Sequence, residues 1–138
     1  GFLFVNKRPE AAVALLHNEV LPFYKKYGIK IKTILTDNGT EFKGTDSHPY
    51  QIYLQLNDIE HRTTKVRSPK TNGFIERFNR TVLDEFFRVQ FRTKYFENIK
   101  QLQAELDKWL AFYNYERPHQ GYRNMGNTPF KTFSNFVK

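Results

Sequence analysis

The stretch Ile29-Lys30-Ile31-Lys32-Thr33-Ile34-Leu35-Thr36, running into Asp37-Asn38-Gly39, organises the reading of the whole chain. Ile29, Ile31, Thr33 and Leu35 alternate with Lys30, Lys32 and Ile34, which is the two-residue period of a strand, and Asp-Asn-Gly is a turn signal. A strand therefore delivers Asp37 to its carboxyl end. Upstream, Phe2 to Val5 reads as a short buried strand, with Asn6 as a cap and Pro9 in the first turn of a helix. That helix is predicted to run to about Tyr27: Val13, Leu16, Val20, Phe23 and Tyr27 recur on one face, and Gly28 supplies the stop.

Downstream of the turn, residues 43 to 49 read as a surface loop, Tyr50 to Leu56 as a short helix and Ile59 to Thr64 as a second strand. Lys65 to Gly73 carries three basic residues, Pro69 and Gly73 and little that packs, so it reads as an exposed, mobile loop. A long helix follows with Ile75, Phe78, Val82, Phe86 and Val89 as its buried stripe. Glu76, Arg77, Arg80 and Asp84 project from the other side. The last predicted helix opens on Asn98 with Gln101 three residues on, a capping-box spacing, and buries Ile99, Leu102, Leu106, Trp109 and Tyr113. Arg117-Pro118 ends it, and the tail from His119 to Lys138 reads as irregular.

A chain of 138 residues supports one domain. Its 22 basic against 14 acidic residues give a net charge of +8, which points to a polyanionic partner. The excess is not spread evenly: residues 1 to 60 balance, and residues 61 to 138 carry all of it. With 39% hydrophobic residues the chain is a folded one rather than a disordered tail. The longest apolar run, Ala11 to Leu16, is far short of the roughly 20 residues a membrane span needs, so a soluble, cytoplasmic protein with no membrane partner is expected. Without cysteine, any metal must be held by oxygen or imidazole, which favours hard divalent cations. Gly1 is not an initiator residue and an apolar run begins at once, so sequence upstream of it is expected.

Two acids stand out by their settings: Asp37 at a strand end and Glu76 in the first turn of a helix after a basic loop. Carboxylates converging from different elements suit Mg²⁺, which takes a few charged oxygens and leaves other positions for water and phosphate. Taken singly, each also has a plain structural reading, as a turn residue and as a complement to the helix dipole. Arg62, Lys65, Arg67, Lys70, Arg77 and Arg80 place six positive charges in nineteen residues, with Glu76 the only acid among them. Six phosphate contacts make binding steeply salt-dependent; the alternative is a solvated charged surface. His61 and His119 are further candidates, as ligands or general acids, or as ordinary polar residues.

Three blocks now carry a resemblance. Leu35-Thr-Asp-Asn-Gly-Thr-Glu-Phe42, Ser68-Pro-Lys-Thr-Asn-Gly-Phe-Ile-Glu-Arg-Phe-Asn-Arg-Thr81 and Tyr113-Asn-Tyr-Glu-Arg-Pro-His-Gln-Gly121 resemble the integrase core of bacterial insertion-sequence transposases and retroviral integrases. The resemblance implies an α/β, ribonuclease-H-like fold, a mixed sheet flanked by helices. It also implies an Asp, Asp, Glu triad binding two Mg²⁺ or Mn²⁺ ions and cutting and joining DNA. Asp37 matches the second Asp and Glu76 the Glu, as catalytic residues and metal ligands. Lys70 and Asn72 fall on the loop that approaches the DNA end, and Arg77 and Arg80 flank Glu76. Asn114, Arg117, Pro118 and His119 match the family's terminal motif.

The separation of 39 positions between Asp37 and Glu76 exceeds the family's usual spacing, and the excess falls between Lys43 and Pro49. No acid before Asp37 matches the first Asp, since Glu10 and Glu19 lie on the first predicted helix. The expectation is an N-terminally incomplete core over residues 1 to 138, lacking the first two strands, whose open strand edge can pair with a second copy. The leading reading is a transposase or integrase core acting on element ends and target DNA as a homo-oligomer. The competing ones are a catalytically inactive DNA-binding remnant, a nuclease of the same fold and an RNA-binding module. The last needs aromatics on an open sheet face, whereas most here follow helical core spacing.

Overall fold

A computed structural model describes residues 1–64 and 73–137. Lys65, Arg67, Lys70 and Asn72, and with them the expected loop, lie outside the described residues. The chain divides into two compact units, Phe4–Arg80 and Gly1–Leu3 with Thr81–Lys138.

In the first unit, helix α1 spans Pro9–Leu15, passes through a π turn at Leu16–Val20 and continues as α2, Leu21–Lys26. Pro9 stands at the start, where its missing N–H costs no hydrogen bond. Gly28, at φ +69°, closes the helix: its N–H donates to Lys25 O and that of Ile29 to Tyr24 O, the paired bonds of a left-handed helix end. The π turn has a visible cost to periodicity. Up to the end of the turn the expected face holds, with Leu16 buried and Val13 and Val20 half-buried. A turn with an extra residue shifts the face after it: Leu21, Tyr24 and the expected Tyr27 are half-buried, while the expected Phe23 is exposed.

Strand β1 is Thr33–Thr36, α3 is Pro49–Leu56 and β2 is Glu60–Thr63. Among the described residues the sheet consists of β1 and β2, parallel, in the register Thr33↔Glu60 to Thr36↔Thr63. Parallel neighbours need a crossover, and α3 provides it. Both strands are shorter than expected, and residues 29 to 32 fall outside β1. Ile34 and Thr36 turn to the core and Leu35 is half exposed. Leu16, Tyr50, Leu54 and Ile59 form that core, with Ile31, Ile34, Phe42 and Tyr53 packed around it. α3 ends as α2 does, with Asp58 at φ 55° taking the left-handed place and Ile59 N–H donating to Leu54 O at 2.9 Å. The two residues joined by that bond are both core members, so the helix end and the hydrophobic cluster fix one another.

Helix α4, Gly73–Val82, leads into a π turn at Leu83–Phe87, then α5, Arg88–Thr93; α6 is Ile99–Tyr115 and α7 is Pro129–Phe136. In the second unit Phe86 is fully buried and Leu106 nearly so, and the Phe86 ring lies 6.0 Å from that of Trp109. The expected stripe holds at Phe78, Val82 and Phe86. It fails at Ile75, in the first turn, and at Val89, which the second π turn rotates outward. Asn98 caps α6 by accepting from Gln101 N–H at 3.1 Å. Ile99, at that exposed end, is not buried.

Phe2 to Val5 is not a strand. Leu3 N–H donates instead to the Gln103 side chain on α6 at 2.7 Å, Gln103 donates to Gly1 O, and Phe2, Phe4 and Val5 are exposed. The tail, expected to be irregular, contains α7, capped by Thr128 accepting from Lys131 N–H. Among the described residues no helix is long and apolar enough to cross a membrane.

Candidate metal and nucleic-acid site

Asp37 leaves the carboxyl end of β1, the side of a parallel sheet where ligands bind. Its carboxylate is exposed, and Oδ1 accepts Gly39 N–H at 2.9 Å, closing the turn that Asp-Asn-Gly encodes. Asn38 reaches across to β2's extension, donating to Thr64 O at 2.9 Å, and Thr64 N–H donates to Thr36 O at 2.9 Å. The turn is thus tied to the neighbouring strand on both sides of Asp37.

Glu41 joins this corner. A Cβ added to Gly39 would come 2.6 Å from Glu41 Oε2 and 2.9 Å from Asp37 Oδ1, so both carboxylates border the space glycine leaves open. Hard oxygen donors of this kind fit Mg²⁺ or Mn²⁺ by type. Among the described residues, no group of three or more His, Asp or Glu is gathered as a metal centre.

Glu76 lies in the first turn of α4, exposed, with Arg77 and Arg80 exposed on the same helix. Arg62 on β2 is engaged within its own strand: Nε and Nη2 donate to the two Glu60 carboxylate oxygens at 2.8 and 2.9 Å, and Thr33 on β1 donates to Glu60 as well. The Arg62 hydrogen bonds, then that of Thr33, hold the Glu60 carboxyl below its ordinary range.

His61 packs against the buried Tyr50 ring, centroids 5.7 Å apart, and its Nε2 lies 2.8 Å from Thr36 Oγ1. Burial first, then the positive charge of Lys43 and the proximity of His48, push its pKa down. A cleft of about 420 Å³ beside it is lined by polar groups, Lys43, Gln51, Gln55 and Glu60 among them, together with the apolar Leu54 and Ile59. His119 belongs to the second unit, its ring 4.5 Å from that of Tyr113. There Arg117 donates to Glu85 at 2.6 Å and lies over the same Tyr113 ring, so the Tyr113–His119 segment acts as a packing knot.

Sequence reasoning missed Thr36, Asn38 and Glu41. The cross-strand hydrogen bonds of Thr36 and Asn38 depend on the register of β1 against β2, which no local pattern reveals, whereas Glu41 comes to the corner through the turn itself. The one available signal was the clustering of Thr, Asn and Glu around Asp37 itself.

The sequence pattern of a family described as "Integrase core domain" matches residues 57–129, a range that includes Glu76 and leaves Asp37 outside. A putative integrase of Spiroplasma virus SpV1-C74 is 33% identical over 129 residues, covering 87% of this chain and 34% of the viral protein. The retrovirus-related Pol polyprotein from transposon 412 of Drosophila melanogaster is 32% identical over 93 residues, 67% of this chain and 6% of the polyprotein. The chain thus spans about a third or less of these relatives. Among solved structures, the catalytic core domain of BIV integrase superposes with a TM-score of 0.62 at 21% identity, over 96% of this chain and 75% of that one. The fold is therefore that of an integrase core, here a partial α/β arrangement.

Proposed function

The chain belongs to the integrase core domain family, and from that premise we propose that it is the part of a DNA transposase or integrase that cuts and joins DNA strands. The observation that carries this reading is the Asp37 turn. An exposed carboxylate stands at the carboxyl end of a parallel strand, its backbone tied to the next strand on either side.

Asp37 and Glu76 would hold the divalent cations, and they are two of the three carboxylates that the integrase triad requires. Mg²⁺ or Mn²⁺ bound there supplies activation of a water or a DNA 3′-hydroxyl and neutralises charge at the phosphate under attack. The remaining work falls to the protein. Glu76 is followed on α4 by Arg77 and Arg80, so the carboxylate is presented beside positive charge that draws in the DNA backbone. Lys65, Arg67, Arg77 and Arg80 contact phosphates, and Lys70 and Asn72 approach the DNA end. Arg62 joins them by exchanging Glu60 for a phosphate. Element ends and target DNA are the substrates, and the working form is a homo-oligomer.

The test compares wild type, Asp37→Asn and Glu76→Gln in the full-length protein, reading Mn²⁺-dependent cleavage and joining of labelled DNA alongside DNA binding by anisotropy. Both variants are expected to lose the products and keep the binding. Retained cleavage, or binding lost in step with cleavage, overturns the metal-ligand roles. A wild type that binds DNA and never cuts it supports the inactive DNA-binding reading instead.

A further inference from the structure

Thr36 has one hydroxyl proton, and it is already committed: Oγ1 donates to the Asp37 main-chain carbonyl at 2.8 Å. A hydroxyl in that state can only accept from a second partner. His61 Nε2, 2.8 Å from the same oxygen, must therefore be the donor, which fixes the imidazole tautomer with its hydrogen on Nε2.

We propose that His61 and Thr36 are positioning residues for Asp37, a relay running from β2 through the Thr36 hydroxyl to the peptide carbonyl of the proposed metal ligand. The inference rests on the metal-binding role of Asp37 set out above.

Its surroundings suit the task. Thr36 is 9% exposed, and the His61 ring is steadied by Tyr50, 4% exposed, which in turn meets Phe42 edge-on at 5.2 Å. A partly buried hydrogen-bonded chain holds its geometry more firmly than an exposed one. The relay fixes the carbonyl of Asp37, the Asn38 side chain ties the following residue to Thr64, and Gly39 N–H holds one carboxylate oxygen. The carboxylate is then left with little freedom to swing away from a cation. His61 acts on Asp37 only through Thr36, so the two residues should behave as one unit.

Imidazole ¹⁵N spectra and Mn²⁺ titration calorimetry on the full-length protein test this together. Wild type is expected to show the Nε2–H tautomer of His61, and Thr36→Val to lose the preference for it. Groups behind a metal ligand change affinity by roughly 10- to 100-fold when removed, so His61→Leu and Thr36→Val should each weaken Mn²⁺ binding about tenfold or more. The double variant should be no weaker than either single one. His61→Gln, which keeps an N–H donor at similar reach, and Thr36→Ser, which keeps the hydroxyl, should bind nearly as wild type does. Urea midpoints on every variant separate a lost fold from a lost relay.

An Nδ1–H tautomer in wild type overturns the proposal. So does wild-type Mn²⁺ affinity in His61→Leu and Thr36→Val while Asp37→Asn has lost it. If Asp37→Asn itself binds Mn²⁺ like wild type, the metal role of Asp37 fails and the positioning role with it, a result the tautomer spectra tell apart from a failed relay.

Discussion

Two leucines on one short helix make the sharpest test of how the first unit is held together. Leu54 is 0% exposed and Leu56 is 79% exposed, both on α3, the crossover between the parallel strands. The same change to alanine at both sites alters helix propensity equally, so the difference between them reports burial. Leu54 belongs to a buried cluster of four and also supplies the carbonyl that accepts Ile59 N–H at the helix end. Buried Leu→Ala changes cost about 2–5 kcal/mol. Because the cluster is small and ringed by half-buried side chains that can shift inward, a value of about 3 kcal/mol is expected here. With a urea m-value of about 1.5 kcal/mol per M, the Leu54→Ala midpoint falls by about 2 M. Leu56→Ala should stay within about 0.5 kcal/mol of wild type, as exposed substitutions do. The assay is urea unfolding followed by far-UV circular dichroism. Equal midpoint shifts for the two variants would refute the placement of α3 over the β1–β2 pair.

Asp58 holds a left-handed conformation at φ 55° that glycine adopts freely, so Asp58→Gly should raise stability by about 0.5–1 kcal/mol, measured as a higher urea midpoint; a lower midpoint counts against the helix-end geometry. Arg77→Ala and Arg80→Ala should each flatten the slope of log DNA affinity against log salt by about one, at any DNA sequence, and an unchanged slope removes that residue from the phosphate-facing set. Burial, then Lys43 and His48, lower the pKa of His61, and burial, then Arg117, lower that of His119. The unfolded chain therefore binds protons first as pH falls below the ordinary imidazole value of about 6.5, and stability that is complete above that value is lost through the window beneath it. Urea midpoints between pH 7.5 and about 5.5 should fall on acidification, less so for the His61→Gln, His119→Gln double variant; a midpoint that rises would contradict the sign.

What the sequence made legible is what depends on neighbours a few positions away. Pro9 at a helix start, Gly28 at a helix end and Asn98 as a cap are each decided within one turn of chain, and the structure carries each out. The π turns broke the reading of faces, because a single extra residue in a turn is invisible to a fixed 3.6-residue period, and so Phe23 and Val89 point outward. At the candidate site the division is the same. The Asp37 turn followed from Asp-Asn-Gly alone, whereas the partners that hold it, Thr64 for Asn38 and His61 for Thr36, come from the strand opposite, 26 and 25 positions away. A parallel pair sets its register through the packing of its crossover helix, not through a tight turn. The residues that aim a strand-end carboxylate therefore lie where periodicity cannot look, on the next strand over, and in this chain His61, which reaches Thr36 beside Asp37, is such a residue.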